Sequence, residues 1–387
     1  MSAIALVEEL LASAHARGSS DIHLDPQKEK LVVRFRVDGE LADAHEVPST
    51  LHGELIARVK ILAGLRTDEH QAAQDGRFVF GGRSGQIDVR VSIAPTYYGE
   101  NAVLRLLAPR EPGPLESLGF STAHADLIKT ALARPHGMIL VTGPTGSGKT
   151  STLYALIALL NRREVNILTI EDPVEYSIPG INQIQANART GLTFGNGLRS
   201  MLRQDPDVIM VGEIRDIETA GMATNVALTG HLLLSTLHTN DAPTAIPRLL
   251  DMKVEPYLLA STVSLVIAQR LVRTICADCR ERRELTSAER ESLAHVFSPE
   301  GLPDEAASFR GRGCESCAGT GYRGRTGIFE VLAMTPELRE AVLRKASLDE
   351  LRELSAAAGM LPMHRDGFGK AWKGVTTIEE VVRMRHA

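Results

Sequence analysis

Long hydrophobic runs are missing from this sequence. No stretch approaches the roughly 20 apolar residues of a membrane-spanning helix, so no transmembrane helix is expected. Basic excess is missing too: the formal net charge is −5 and aromatic residues make up 4%, which argues against a dedicated nucleic-acid binder. There is no low-complexity tract of the kind that marks a disordered chain. Residues 1–11 carry Glu8 and Glu9 and no basic flank, so no signal peptide is expected and the chain is assigned to the cytoplasm. Cysteine is scarce. The four that occur are Cys276, Cys279, Cys314 and Cys317, and in a reducing compartment such clustered pairs point to metal binding rather than disulfides.

What is present is enough chain for several cores. At 387 residues, two or three domains are expected. Ile4, Val7, Leu11 and Ala14 recur at helical spacing, and Gly18-Ser19-Ser20 ends that helix. Residues 31–37 read as a strand, Asp38-Gly39 as a hairpin turn and residues 51–62 as a helix. Residues 77–80, a Gly81-Gly82 turn and the alternating Ile87, Val89, Val91 and Ile93 complete a small α+β domain. Three prolines between positions 109 and 114 mark a linker, since they cannot continue a helix or a central strand. Beyond it, strands at 138–141, 167–170, 208–211 and 232–235 alternate with helical segments, as in an α/β domain. A cysteine module follows, and from about Thr335 the chain reads as short helices.

Gly143-Pro144-Thr145-Gly146-Ser147-Gly148-Lys149-Thr150 matches the phosphate-loop pattern in full. Its glycines let successive backbone amides turn toward phosphate oxygens, and the following helix, 149–160, aims its positive end at the same charge. Lys149 is expected to neutralise the β and γ phosphates of ATP and the Thr150 hydroxyl to ligate Mg²⁺, with Ser151 next to them on the helix. The strand 208–211 leads through Gly212 to Glu213, which is placed to orient or deprotonate the attacking water or to hold a magnesium-bound water. Gly212 stands where a metal-binding aspartate is usual, so magnesium is expected to be held mainly through Thr150 and water. Glu171, after the strand 167–170, is a second candidate for positioning that water or magnesium. His231 and His238 flank the strand 232–235. His238 is expected near the γ-phosphate as a sensor, and His231 at inter-domain contacts.

These blocks, with Glu171-Asp172-Pro173-Val174-Glu175, Asp205-Pro206-Asp207 and Glu213-Ile214-Arg215-Asp216, resemble in order and spacing the motors of type II secretion and type IV pilus assembly, the GspE/PilB group. Ser20-Asp21-Ile22-His23-Leu24 and Arg34-Phe35-Arg36-Val37-Asp38-Gly39 resemble the second N-terminal domain of that family, and the chain begins almost directly at that domain. The resemblance implies an α/β fold with a small N-terminal α+β (PAS-like) domain over 1–108 and a linker at 109–115. A RecA-like P-loop ATPase core over 116–270, a Cys₄ zinc insertion over 271–330 and C-terminal helices over 331–387 would follow. It implies a homo-hexameric ring, peripheral at the inner membrane through platform proteins of a secretion or pilus system. In such a ring the ATP sites lie between N-terminal and C-terminal domains. Arginines matching those the family sends to the phosphates are Arg77 and Arg90, while Arg199 and Arg203 match positions that bind nucleotide or link subunits.

Cys276-x-x-Cys279 and Cys314-x-x-Cys317, separated by 34 residues, form a Cys₄ pattern for one structural zinc ion, because four thiolates leave no open position. Gly313, Gly319, Gly321, Gly324 and Gly327 are expected in the tight turns around the second pair. By the resemblance, this module favours secretion or pilus extension over retraction. Zinc ribbons often bind nucleic acid, so a DNA-translocating or helicase-like motor is the competing reading. The acidic charge, the few aromatics and the family blocks argue against it, and no direct nucleic-acid contact is expected. A third reading, an ATP-binding scaffold without turnover, is opposed by the presence of Lys149, Glu213 and the arginines.

Overall fold

The computed structural model describes residues 2–82, 85–107, 113–287, 290, 293 and 308–386. The chain divides into two compact units, Met1–Glu111 and Pro112–Ala387. Residues 109–112 of the expected linker lie outside the described residues.

The first unit is a six-stranded antiparallel sheet carrying two helices. The helices are α1 (Ala3–Ala16) and α2 (His52–Leu62). The strands are β1 (Ser19–Pro26), β2 (Lys30–Val37), β3 (Glu40–Pro48), β4 (Gln74–Gly82), β5 (Gly85–Thr96) and β6 (Gly99–Leu107), in spatial order β3-β2-β1-β6-β5-β4. Ile87, Val89, Val91 and Ile93 are all buried, as their alternation requires. They pack with Leu55, Ile56 and Val59 of α2 and with Leu6, Val7, Leu10 and Leu11 of α1 in one core. Two expectations need correction. Ile4 is 51% exposed, because the α1 face turned to the sheet starts from Ala3 and continues through Leu6-Val7 and Leu10-Leu11. Gly81 and Gly82 are not a turn but strand residues of β4, opposite Gln86 and Gly85. Asp38 and Gly39 do turn, both at positive φ (50° and 92°), the backbone a two-residue hairpin needs.

The second unit is built on a mixed seven-stranded sheet. Its strands are β7 (Gly137–Thr142), β8 (Ile167–Glu171), β9 (Asn182–Gln185), β10 (Val208–Val211), β11 (Leu232–Leu237), β12 (Val263–Ile275) and β15 (Tyr322–Ala333), in order β15-β12-β7-β11-β10-β8-β9. A separate two-stranded ribbon, β13 (Arg280–Arg283) with β14 (Ser308–Gly311), lies between β12 and β15 in the chain. β7 is buried throughout and faces two cores, Met138 and Leu140 in one and Ile139 and Val141 in the other. Helices therefore cover both faces, which is the condition for an apolar parallel sheet. On one face lie α3 (Thr122–Leu132) and α4 (Lys149–Leu160). On the other lie α5 (Phe194–Met201), α6 (Ile217–Leu228), α7 (Ala245–Asp251) and α8 (Pro256–Thr262).

The four strands expected from sequence are neighbours in the middle of this sheet, β7-β11-β10-β8. β12 and β15 pair from Leu265 opposite Ala333 to Ile275 opposite Tyr322. They carry the sheet across residues 270 and 330, where the sequence reading divides core, cysteine module and C-terminal region. Four short helices then close the chain, Pro336–Leu343, Leu348–Ala357, Met363–Trp372 and Ile378–His386.

Candidate functional site

β7, β10 and β11 run parallel, so the loops after Thr142, Val211 and Leu237 leave from one edge of the sheet. The phosphate loop spans the step from β7 to α4. Gly143, Gly146 and Gly148 all have positive φ (148°, 78° and 87°), a backbone that a side chain would strain. Thr145, Gly146, Thr150 and Ser151 are exposed, whereas Ser147 is buried and its hydroxyl has no hydrogen-bond partner among the described residues. Lys149 opens α4, and its ammonium donates to the carbonyls of Gly143 (2.8 Å) and Pro144 (3.0 Å). Burial pushes that ammonium below its usual range, and the charge of Glu213 acts in the opposite direction.

Glu213 is the acidic group that converges on this loop. Its side chain is 13% exposed and held from two sides, by Arg215 at 2.6 Å and by Nε2 of His238 at 3.3 Å. Between it and β10 stands Gly212, where a Cβ would lie 3.3 Å from the Glu171 Cα and the Ile170 carbonyl. The backbone of β8 thus crowds any side chain at this position. His238 is fixed through its neighbour: Thr239 donates its amide to the Thr142 hydroxyl (2.9 Å), and the two hydroxyls are 2.6 Å apart. This clasp ties the loop after β11 to the residue just before the phosphate loop. Sequence reading missed it, and the only available signal was a polar residue, Thr142, at the end of an apolar strand.

The other predicted residues are held differently. Glu171 is buried, and its oxygens accept hydrogen bonds from the Tyr154 hydroxyl, from Thr169 (2.7 Å) and from Gln183 (3.1 Å). Three donors on two oxygens fix it as an anchor between β8, α4 and β9, and Glu213 is the more open carboxylate. His231 is opposite in placement to His238. β11 pairs with β7 from Leu232 opposite Gly137 to Leu237 opposite Thr142, so His231 leaves from the far edge of the sheet, about 20 Å from the loop by strand rise. It is not brought to the phosphate loop of its own chain, and its Nδ1 lies 3.3 Å from the Val226 carbonyl. Arg199 and Arg203 stay on the surface of α5 and just after it, Arg199 reaching Asn196 (3.0 Å) and Glu218 (3.3 Å) and Arg203 the Arg199 carbonyl (3.1 Å).

In the first unit, Arg77 of β4 and Arg90 of β5 are direct cross-strand partners. The row continues to Arg105 of β6, Asp21 of β1 and Arg36 of β2. Residues directly opposite share a face, so four arginines and one aspartate form a single stripe. Asp21 anchors it, accepting from Arg105 Nε at 3.0 Å.

The four cysteines meet between the ends of β12, β14 and β15. Their sulfurs all lie within 4.8 Å of one another, with Cys276–Cys314 at 3.8 Å, Cys279–Cys317 at 3.9 Å and Cys314–Cys317 at 3.7 Å. A tetrahedron of thiolates about 2.3 Å from a central ion has edges of about 3.8 Å, so the donor set fits one metal ion. Glycine makes the enclosure possible: a Cβ on Gly311 would meet the Gly321 carbonyl at 2.0 Å. Of the five glycines expected in turns here, Gly313, Gly319, Gly321 and Gly324 have positive φ. Gly324 and Gly327 lie within β15 rather than in a turn, and a Cβ on Gly327 would strike the Phe329 ring. Burial raises the Cys317 thiol, but donation from the Cys314 and Gly321 amides together with the Cys314 and Cys279 thiols outweighs it and holds the group down to about 6.

The family described as "Type II/IV secretion system protein" matches residues 1–383. The type II secretion system protein E of Xanthomonas campestris is 48% identical over 98% of this chain and 67% of its own length. The type IV pilus assembly ATPase PilB of Thermus thermophilus is 43% identical over 97% of this chain and 42% of its own length. Among solved structures, the pilus retraction motor PilT with bound ADP superposes with a TM-score of 0.65 at 26% identity, covering 98% of this chain and 96% of that one.

Proposed function

This chain belongs to the type II/IV secretion system protein family, as an ATPase of type II secretion or type IV pilus assembly, and from that premise we propose that it works as a homo-hexameric ring in which arginines of the first unit complete the ATP site. Lys149 and the amides of residues 143–148 bind the phosphates, and Thr150 is the ligand for Mg²⁺, which supplies charge neutralisation on the phosphate oxygens. Glu213, steadied by Arg215 and His238, positions the attacking water. The four thiols hold one zinc ion with a purely structural part, since none of its positions is left open. Among the described residues no helix is long and apolar enough to cross a membrane. The reading is of a cytoplasmic motor that reaches the inner membrane through platform proteins, with no direct nucleic-acid contact.

The observation that carries the ring is the stripe containing Arg77 and Arg90. It concentrates positive charge on a unit other than the one holding the phosphate loop, and guanidinium groups stabilise charge that spreads over phosphate oxygens during transfer. Turnover per chain should therefore rise with protein concentration as rings form. Arg77→Ala should lower kcat about 100-fold with little change in ATP affinity, because the arginine acts mainly on the transition state. A monomer, verified by light scattering, that hydrolyses ATP at the full rate with or without Arg77 would overturn the ring reading and leave the phosphate loop assignment standing.

A further inference from the structure

β12 runs beside the phosphate loop, and its apolar sequence is interrupted at Gln269, which is 2% exposed. Both ends of its amide are engaged. Its Nε2 donates to the Ser147 carbonyl at 2.6 Å, and its Oε1 accepts from the Thr152 hydroxyl at 2.7 Å. One side chain thus grips the last turn of the phosphate loop and the first turn of α4 together. Its backbone and its side chain each crowd one end of the loop. A Cβ on Gly143 would lie 2.4 Å from the Gln269 carbonyl, and a Cβ on Gly148 would lie 3.1 Å from its Nε2. The two glycines that open and close the loop are therefore the two that β12 approaches most closely through this residue.

We infer that Gln269 is a positioning residue for nucleotide binding: it sets the backbone at Ser147 and Gly148, and through Thr152 the start of α4, so that the loop amides and Lys149 face the phosphates. This rests on the assignment of residues 143–150 as the phosphate loop. Removing a buried partner leaves the Ser147 carbonyl and the Thr152 hydroxyl unsatisfied, which is worth about a tenfold change in an equilibrium the loop controls. Gln269→Met keeps length and loses both bonds. Gln269→Glu keeps the acceptor for Thr152 and, when ionised, loses the donor to Ser147. Thr152→Val removes only the bond to α4.

The test is titration of the full chain with ATP and with AMP, alongside thermal unfolding. The ATP affinity of Gln269→Met and Gln269→Glu should fall about tenfold, with AMP affinity changing much less, since the loop serves the β and γ phosphates. Thr152→Val should show a smaller loss in the same direction, about threefold, and it serves as the probe if the Gln269 variants fold poorly. A lowered melting temperature with an unchanged ATP-to-AMP affinity ratio would show that Gln269 is merely structural and would overturn the inference. Lys149→Ala measured in parallel separates the two claims. If its ATP affinity does not fall, the phosphate loop assignment fails, whereas a loss in Lys149→Ala with none in the Gln269 and Thr152 variants sinks only the role of Gln269.

Discussion

The phosphate loop and the four-thiol centre are both shaped by glycines and both sit along β12, yet they are opposite kinds of site. The loop lies against Gln269, and the first thiol follows Ile275, the last residue of the strand. The loop leaves Thr145, Gly146 and Thr150 exposed and keeps its lysine on its own carbonyls. The thiols turn inward, with all four sulfurs within 4.8 Å of one another and three of the four cysteines buried. An open set of donors suits a ligand that arrives and leaves. A closed set suits an ion that stays and contributes to folding.

The contrast should appear as a double dissociation. Lys149→Ala should lower ATP turnover at least about 100-fold while circular dichroism and melting stay close to the parent, because the loop is held by backbone and by Gln269. Cys317→Ser should do the reverse. Zinc measured by atomic absorption should fall from about one ion per chain to a small fraction of that, and the cysteine module should unfold first on heating. ATP affinity should change less than about threefold, a modest effect for a site roughly 20 Å away by strand rise. Equal zinc content in parent and variant would break the comparison, as would an unfolded Lys149→Ala.

A smaller effect sharpens it from the strand next to β12. Glu330 on β15 lies opposite Ala268, and burial, reinforced by the charge of Asp241, pushes its carboxyl up to about 7. The folded pKa lies above the unfolded one, so the contribution of this group to stability is fully present below about pH 4.5 and is lost as pH rises through about 7. Glu330→Gln should therefore stabilise the protein at pH 8 by on the order of 1 to 3 kcal/mol. The gain should vanish near pH 4, as denaturant unfolding at the two pH values would show. A gain independent of pH would place the effect in packing rather than in charge.

The legible parts of this molecule were those whose signal is local. β7, the phosphate loop and α4 are contiguous, and β10 and β11 are short apolar runs with polar ends. β12 and β15 were not legible, because Gln269, Arg270 and Arg273 interrupt the apolar pattern and the partner strand begins about 50 residues on. β1 was hidden for a related reason: it is a strand between β2 and β6 whose polar Ser, Asp and His residues mask the alternation of Ile22 and Leu24. At the site, the four cysteines and Glu213 could be named from spacing. The burial of Glu171 under Tyr154, Thr169 and Gln183 could not, nor could the separation of His231 from His238, since both depend on which strands lie side by side.

The most direct test of the account is Glu213→Gln, which keeps the size of the side chain and removes the charge that positions water. ATP affinity should remain within about threefold of the parent, while single-turnover hydrolysis should fall about 100-fold or more. Hydrolysis at the parental rate in this variant would contradict the assignment of Glu213 and with it the chemistry proposed for the site.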